Sequence, residues 1–184
     1  MRKRFVILGA GESGVGAAIL AKKQGLDVFV SDSGAIKEKY RHELIDYNVE
    51  FEEQHTEAIV LSAQEVMKSP GIPEKNELVR KIRAAGIPVI SEIELAYRYI
   101  ENGMIIGITG SNGKTTTTSL IYHICKNAGL NCALVGNIGY SIAKQVALDP
   151  KEWYVAEISS FQLDDIYRFR PHIAIITNIT EDHL

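Results

Sequence analysis

The chain has 184 residues, a charged fraction of 23% and a formal net charge of -3, with both signs spread along its length. That length suits one large or two small domains, and without a basic stripe the chain is not expected to bind nucleic acid. Its longest apolar runs are strand-sized, well short of the ~18 to 20 residues that a membrane-spanning helix needs, so no membrane insertion is expected. The opening MRKRFVILGAG resembles a signal peptide only until Gly9 ends the run Phe5 to Leu8. Cys125 and Cys132 have neither metal spacing nor a disulfide framework and read as packed thiols in a reduced, cytoplasmic protein.

Short apolar runs alternate with helix-spaced segments, the pattern of βαβ units and a parallel sheet. RFVILG predicts a strand, GAGESG a turn, and VGAAILAKKQG a helix closed by Gly25. DVFVS is the next strand, with Asp32 at its tip, followed by a helix over 37–47 and a short strand NVEF. EVMKS is a strand stopped by PGIP, NELVRKIRAAG a helix stopped at Gly86, and IPVIS a strand. A second series starts near residue 92. EIELAYRYIEN predicts a helix bridging two domains, GMIIGITG a strand, and KTTTTSLIYHICKNAG a helix whose apolar positions, Leu120, Ile121 and Ile124, are expected in the core. NCALVG and WYVAEIS are strands around a helix near 141–148, and HIAIITN is the last strand. The chain stops just past that strand, which suggests a fragment of a longer protein.

Two glycine loops carry the chemistry. GITGSNGKTTTT follows a strand and opens a helix, but it lacks the first glycine of the common G-x-x-x-x-G-K-[ST] loop, because Ile108 stands there. A triphosphate site needs inward backbone N–H groups at a helix N-terminus, a cation, and a hydroxyl for Mg²⁺. Gly110, Ser111, Asn112, Gly113, Lys114, Thr115 and Thr116 supply these in order, with Lys114 reaching the β- and γ-phosphates and Thr115 the metal. The bland alternative, a Gly-rich turn beside a solvated lysine, must explain why four threonines open a helix despite modest helix propensity. Gly9, Gly11 and Gly14 satisfy G-x-G-x-x-G between a strand and a helix, with Asp32 placed to meet a ribose. Glu12 is an odd residue in such a loop, since a carboxylate repels a pyrophosphate unless it turns away. Two nucleotide sites in one chain suggest that ATP drives a reaction on a substrate that itself carries a nucleotide.

In sequence, GAGESG, SPGIP (69–73), EIEL (92–95), TGSNGKT, GNIG (136–139), EISSFQL (157–163) and NITEDHL (178–184) resemble the Mur ligase family over the whole chain. TGSNGKT is the loop form shared with folylpolyglutamate synthases and accounts for the misplaced glycine. The resemblance implies a Rossmann-like, parallel-sheet α/β domain over 1–92 that holds a UDP-linked substrate. It implies part of a phosphate-loop ATPase α/β domain over 93–184, and a third domain lying outside the chain. SSFQL points to the branch that joins D-glutamate to UDP-N-acetylmuramoyl-L-alanine through an acyl phosphate, as a monomer using ATP and two Mg²⁺ ions. By resemblance Lys114, Glu157 and His183 are catalytic, and Thr115, Glu157 and His183 hold metal. Asn137, Ser159 and Gln162 lie near the substrate, and Ser13, Asp32, Ser33 and Gly71 contact the uridine diphosphate. Gly34 departs from members that place a basic residue beside uracil.

Each assignment has a plainer alternative: a solvated strand-end Glu157, a loop His183, a turn Asn137, a capping Ser159 with an exposed Gln162. His42, His55, His123 and His172 form no spaced cluster and read as structural or exposed. A non-catalytic dinucleotide-binding module, or another member of the family, are the competing functional readings. On the ligase reading this chain alone is not expected to turn over.

Overall fold

The computed structural model describes residues 4–181. β1 (Phe5–Leu8), α1 (Glu12–Lys23), β2 (Val28–Ser31), α2 (Glu38–Asp46), β3 (Glu50–Glu52), α3 (Glu57–Val60), β4 (Glu65–Lys68), α4 (Glu77–Ala84) and β5 (Val89–Ile90) form the first half. Their strands make an all-parallel sheet of order β3-β2-β1-β4-β5. After α5 (Glu92–Tyr97) come β6 (Met104–Thr109), α6 (Lys114–Asn127), β7 (Cys132–Gly136), α7 (Ile142–Leu148), β8 (Trp153–Glu157) and β9 (Ile173–Ile176). These strands form a second parallel sheet, β7-β8-β6-β9. Every strand expected from the sequence is present. Two short elements were not anticipated: α3, and a 3-10 helix at Ser160–Leu163.

The buried runs FVIL in β1 and VFVS in β2 show why these segments are strands: covered on both faces, they read as continuous apolar stretches. α1 is buried continuously from Gly14 to Ala21 because it lies between the first sheet and the second half, touching α7 and α5. Small residues make that position possible. A Cβ on Gly16 would stand 2.0 Å from Ser141 Oγ, so the approach of α1 to the start of α7 requires glycine there. One apolar cluster accordingly runs through both sheets, joining Ile7, Val15 and Ile19 to Ile105, Ala133, Tyr154 and Ile158.

Two core expectations fail on α6. Leu120 and Ile124 are each 57% exposed. The stripe that faces the sheet is Thr118, Ile121, Tyr122 and Cys125, at i, i+3, i+4 and i+7. Thr118 is fully buried and its hydroxyl donates to the Lys114 carbonyl at 2.7 Å, so a polar residue hides one core position. No helix among the described residues is long and apolar enough to cross a membrane.

Candidate functional site

Both sheets put a glycine loop at the point where the winding reverses. β1 lies between β2 and β4, and β6 lies between β8 and β9, so the loops after β1 and β6 open at the C-terminal strand ends where α/β sheets bind ligands. In the second sheet, Gly113 takes the left-handed conformation, φ +80°, and turns the chain into α6. The first intrahelical bond runs from Thr117 N–H to the Gly113 carbonyl at 3.0 Å. The N–H groups ahead of it therefore have no partner within the helix. Lys114 folds across the loop, its ammonium donating to the carbonyls of Gly110 at 2.6 Å and Ser111 at 3.0 Å.

The loop's first half is braced by the segment after β9. Asn178 accepts from Asn112 N–H through Oδ1 at 2.9 Å and from Ser111 N–H through its backbone carbonyl at 3.0 Å, and its amide donates to the Asn112 carbonyl at 3.0 Å. Thr177 Oγ1 also donates to Asn112 O at 2.6 Å. Gly110, at φ +135°, is where this brace crosses the loop. A Cβ there would lie 2.3 Å from Thr177 Oγ1. The unusual spacing thus has a structural counterpart: the glycine the common loop places at 108 is absent, and Gly110 instead admits the strand-end brace.

Glu157 ends β8 opposite Ile108 of β6 and is 1% exposed. Its Oε1 accepts from Asn137 Nδ2 at 2.8 Å, and its Oε2 is buried without a partner. A buried carboxylate oxygen left open beside a phosphate loop fits a hard divalent cation with oxygen ligands such as Mg²⁺. Thr115, on the exposed first turn of α6, can add a hydroxyl oxygen. His183 lies outside the described residues. A cavity of about 270 Å³ opens over the loop, lined by Gly110, Ser111, Lys114, Ser159, Ser160 and Phe161 among others. Gln162 does not reach it. That side chain is buried, and its Oε1 accepts from Ser159 N–H at 2.9 Å and Ser159 Oγ at 3.1 Å, closing the 3-10 turn. The plainer alternative of an exposed amide is overturned: Gln162 shapes the loop that carries Ser159 and Ser160.

In the first sheet, the glycine loop after β1 meets the turn after β4. Ser69 N–H donates to Leu8 O at 3.0 Å, and a Cβ on Gly9 would stand 2.9 Å from Ser69 Oγ. Gly71 is exposed just beyond. Asp32 closes the other flank, accepting from Ala10 N–H at 2.6 Å and Gly34 N–H at 3.0 Å. Ser33 is exposed and Ser13 half-buried at the start of α1. Glu12 turns aside, as the charge argument requires, lying 3.7 Å from Lys144, which also pairs with Glu43 at 2.7 Å. The histidines are accounted for locally: His55 Nδ1 is 2.7 Å from Ser31 Oγ, and His172 Nδ1 accepts from Ile105 N–H at 3.1 Å.

Sequence reasoning missed Asn178, Gly16 and the roles of Glu92 and Glu94. Asn178 carried a signal, a polar residue directly after an apolar strand at a switch point. Both glutamates are buried, at 3% and 0% exposure. Glu92 accepts from Ala143 N–H at 2.6 Å, and burial, with the nearby Glu12 charge, pushes its carboxyl up to about 7 against the hydrogen bonds it receives.

Fold and loops together define an α/β protein of two parallel sheets, each with a glycine loop at its switch point, the second of phosphate-loop form. Residues 3–91 match the model of the Mur ligase MurD-like N-terminal domain, and residues 108–184 match that of the Mur ligase middle domain. The chain belongs to the Mur ligase family. It is 60% identical over 183 residues to the UDP-N-acetylmuramoylalanine--D-glutamate ligase of Bacteroides fragilis, covering 99% of this chain and 41% of that protein. Identity to the ligase of the same name is 56% in Christiangramia forsetii (100% of this chain, 41% of that one) and 40% in Bacillus velezensis (100% and 42%). The chain thus spans about two-fifths of the curated relatives it matches. Among solved structures, a Neisseria UDP-N-acetylmuramate:L-alanyl-gamma-D-glutamyl-meso-diaminopimelate ligase superposes with a TM-score of 0.63 at 21% identity, over 100% of this chain and 62% of that one. The UDP-N-acetylmuramate-alanine ligase of Thermotoga maritima gives 0.60 at 21%, over 98% and 42%. At that identity the two structures support the fold alone.

Proposed function

We propose that this chain is the substrate-anchoring domain and part of the ATPase domain of a ligase that joins D-glutamate to UDP-N-acetylmuramoyl-L-alanine at the expense of ATP. The observation that carries the reading is 60% identity across 99% of the chain to a ligase of that name. We divide the domains between residues 92 and 93, at the start of α5. The protein acts as a cytoplasmic monomer on this reading.

The chemistry suits the site. A substrate carboxylate oxygen attacks the γ-phosphorus of ATP, and ADP leaves with the bridging oxygen. The amine of D-glutamate then attacks the acyl carbon, loses a proton, and phosphate departs. The first step brings two anions together, so charge neutralisation and alignment dominate its catalysis. Lys114 exchanges its loop carbonyls for β- and γ-phosphate oxygens, and the N–H groups of Gly113 to Thr116 face the same charge. Glu157 and Thr115 hold Mg²⁺, with His183 contributing to a second ion. Bound there, the metal supplies positive charge against the triphosphate. Asn137 keeps Glu157 oriented, and Ser159, with Ser160 beside it, meets the muramoyl-alanine end across the cavity. Gln162 acts on the substrate through that turn. Ser13, Asp32, Ser33 and Gly71 hold the uridine diphosphate at the first switch point.

Calorimetry of the chain with UDP, the UDP-muramoyl substrate, ATP with and without Mg²⁺, and NAD tests the reading. UDP and Mg²⁺-dependent ATP binding are expected. NAD binding without UDP binding establishes a dinucleotide module and ends the ligase reading.

A further inference from the structure

The EIEL stretch has no place in the chemistry above, yet it holds the two halves together. Glu94 is fully buried in α5, and one oxygen, Oε2, accepts three consecutive backbone N–H groups: Tyr167 at 3.0 Å, Arg168 at 2.9 Å and Phe169 at 2.9 Å. Its other oxygen lies 3.6 Å from Arg98 Nε. Burial opposes the charge, but the three donors and Arg98 outweigh it and hold the carboxyl below its ordinary value. Three converging N–H groups call for an anion, and a neutral side chain of the same shape satisfies them poorly.

The clamped residues belong to the segment that begins with the 3-10 turn at Ser160–Leu163, whose Ser160 and Phe161 line the cavity over Lys114. Asp165, between turn and clamp, is fastened to the same side of the molecule. Its carbonyl accepts from Ser91 N–H at 3.1 Å, and its carboxylate lies 2.6 Å from Arg83 and 3.7 Å from the buried Lys68 at the end of β4. Glu92, two residues before Glu94, caps the start of α7 through Ala143 N–H. Residues 91–94 therefore hold the second half at two places, and the contacts to Asp165 and to 167–169 from Ser91, Glu94, Arg83 and Lys68 come from residues that form or adjoin the first sheet.

We infer that Glu94 is a positioning residue of the phosphate-loop site: its carboxylate fixes the 159–169 segment, and so sets Ser159, Ser160 and Phe161 across the mouth of the cavity that receives the nucleotide and the reacting end of the substrate. This rests on the ligase reading for the identity of those ligands. It makes the geometry of the ATP-side cavity depend on a residue of the domain junction that touches neither ligand.

The test is Glu94→Gln in this chain, with Asp165→Asn as a second variant that loosens the same segment and keeps the clamp testable if Glu94→Gln does not fold. Amide hydrogen exchange is followed across residues 159–169, and affinity is measured for Mg²⁺-ATP and, separately, for UDP. Exchange through 159–163, not only at 167–169, is expected to quicken at least about tenfold. ATP affinity is expected to fall about tenfold, and UDP affinity to stay unchanged. Glu94→Asp, which keeps the charge, should recover part of the loss. Faster exchange confined to 167–169 with unchanged ATP affinity overturns the proposal, as does an equal loss from Glu94→Gln and Glu94→Asp. A wild-type chain that binds neither ATP nor UDP counts against the ligase reading, while the exchange of 159–163 still decides whether the clamp sets that turn.

Discussion

Lys114 and Glu157 show how much a residue's chemistry depends on what its backbone neighbours leave open. Lys114 is held over the loop by two carbonyls, and Glu157 keeps one buried oxygen unsatisfied. Lys114→Ala should weaken ATP binding by roughly 10- to 100-fold, since hydrogen bonds from charged groups are worth ~1.5 to 3 kcal/mol, with UDP affinity unaffected; titration calorimetry reads both. Glu157→Gln should leave ATP binding in place but remove its Mg²⁺ dependence. Glu92 gives a pH signature of known sign. Its folded carboxyl titrates at about 7 against an ordinary 4.5, so between those values the folded state keeps a proton the unfolded state has released. Stability should therefore fall as pH rises through that window, by up to ~3 kcal/mol. Glu92→Gln should flatten the fall, and melting curves at pH 5 and pH 8 that run parallel for both proteins would contradict the assignment. Glu12, legible as an oddity in its loop, is explained by Lys144, whose approach from another element no local pattern reveals.

At the level of elements, the alternation of apolar runs and helical spacing was sufficient to place all nine strands, because buried parallel strands are written as continuous apolar stretches. It was insufficient for α3 and the 3-10 turn at Ser160–Leu163, which are too short for a period to show. It also misled on α6, where the buried Thr118 breaks the apolar stripe and exposed Leu120 and Ile124 counterfeit one. Ile124→Lys should accordingly change stability by less than about 0.5 kcal/mol, measured by urea unfolding, whereas a core isoleucine would cost several times more. The contact of α1 with α7 behaves oppositely. Gly16→Ala drives a methyl onto Ser141 Oγ and should destabilise by ~1 to 3 kcal/mol, in spite of alanine's better helix propensity. Ser141→Gly in the same chain should recover part of that loss, because the two changes meet at one contact.

For the whole molecule, the junction is the informative region. A single apolar cluster runs through both sheets, and Glu92, Glu94 and Asp165 add polar fastenings around it. The two halves should consequently unfold together: one calorimetric transition whose van't Hoff and calorimetric enthalpies agree, where two separated transitions would show independent domains. The sequence by itself determined the parallel α/β class, the two series of βαβ units and both glycine loops, and it nominated Lys114 and Thr115 from the loop pattern and Glu157 by resemblance. Those features are local, since phosphate loops and buried strands are set by spacing along a few residues. Only the tertiary structure decided that Asn178 braces the loop and that Glu94, at the domain junction, holds residues 167–169 behind the cavity wall. Each of these depends on a hydrogen bond between segments far apart in the chain, and a side chain's partner across such a distance leaves no periodic trace in its own neighbourhood.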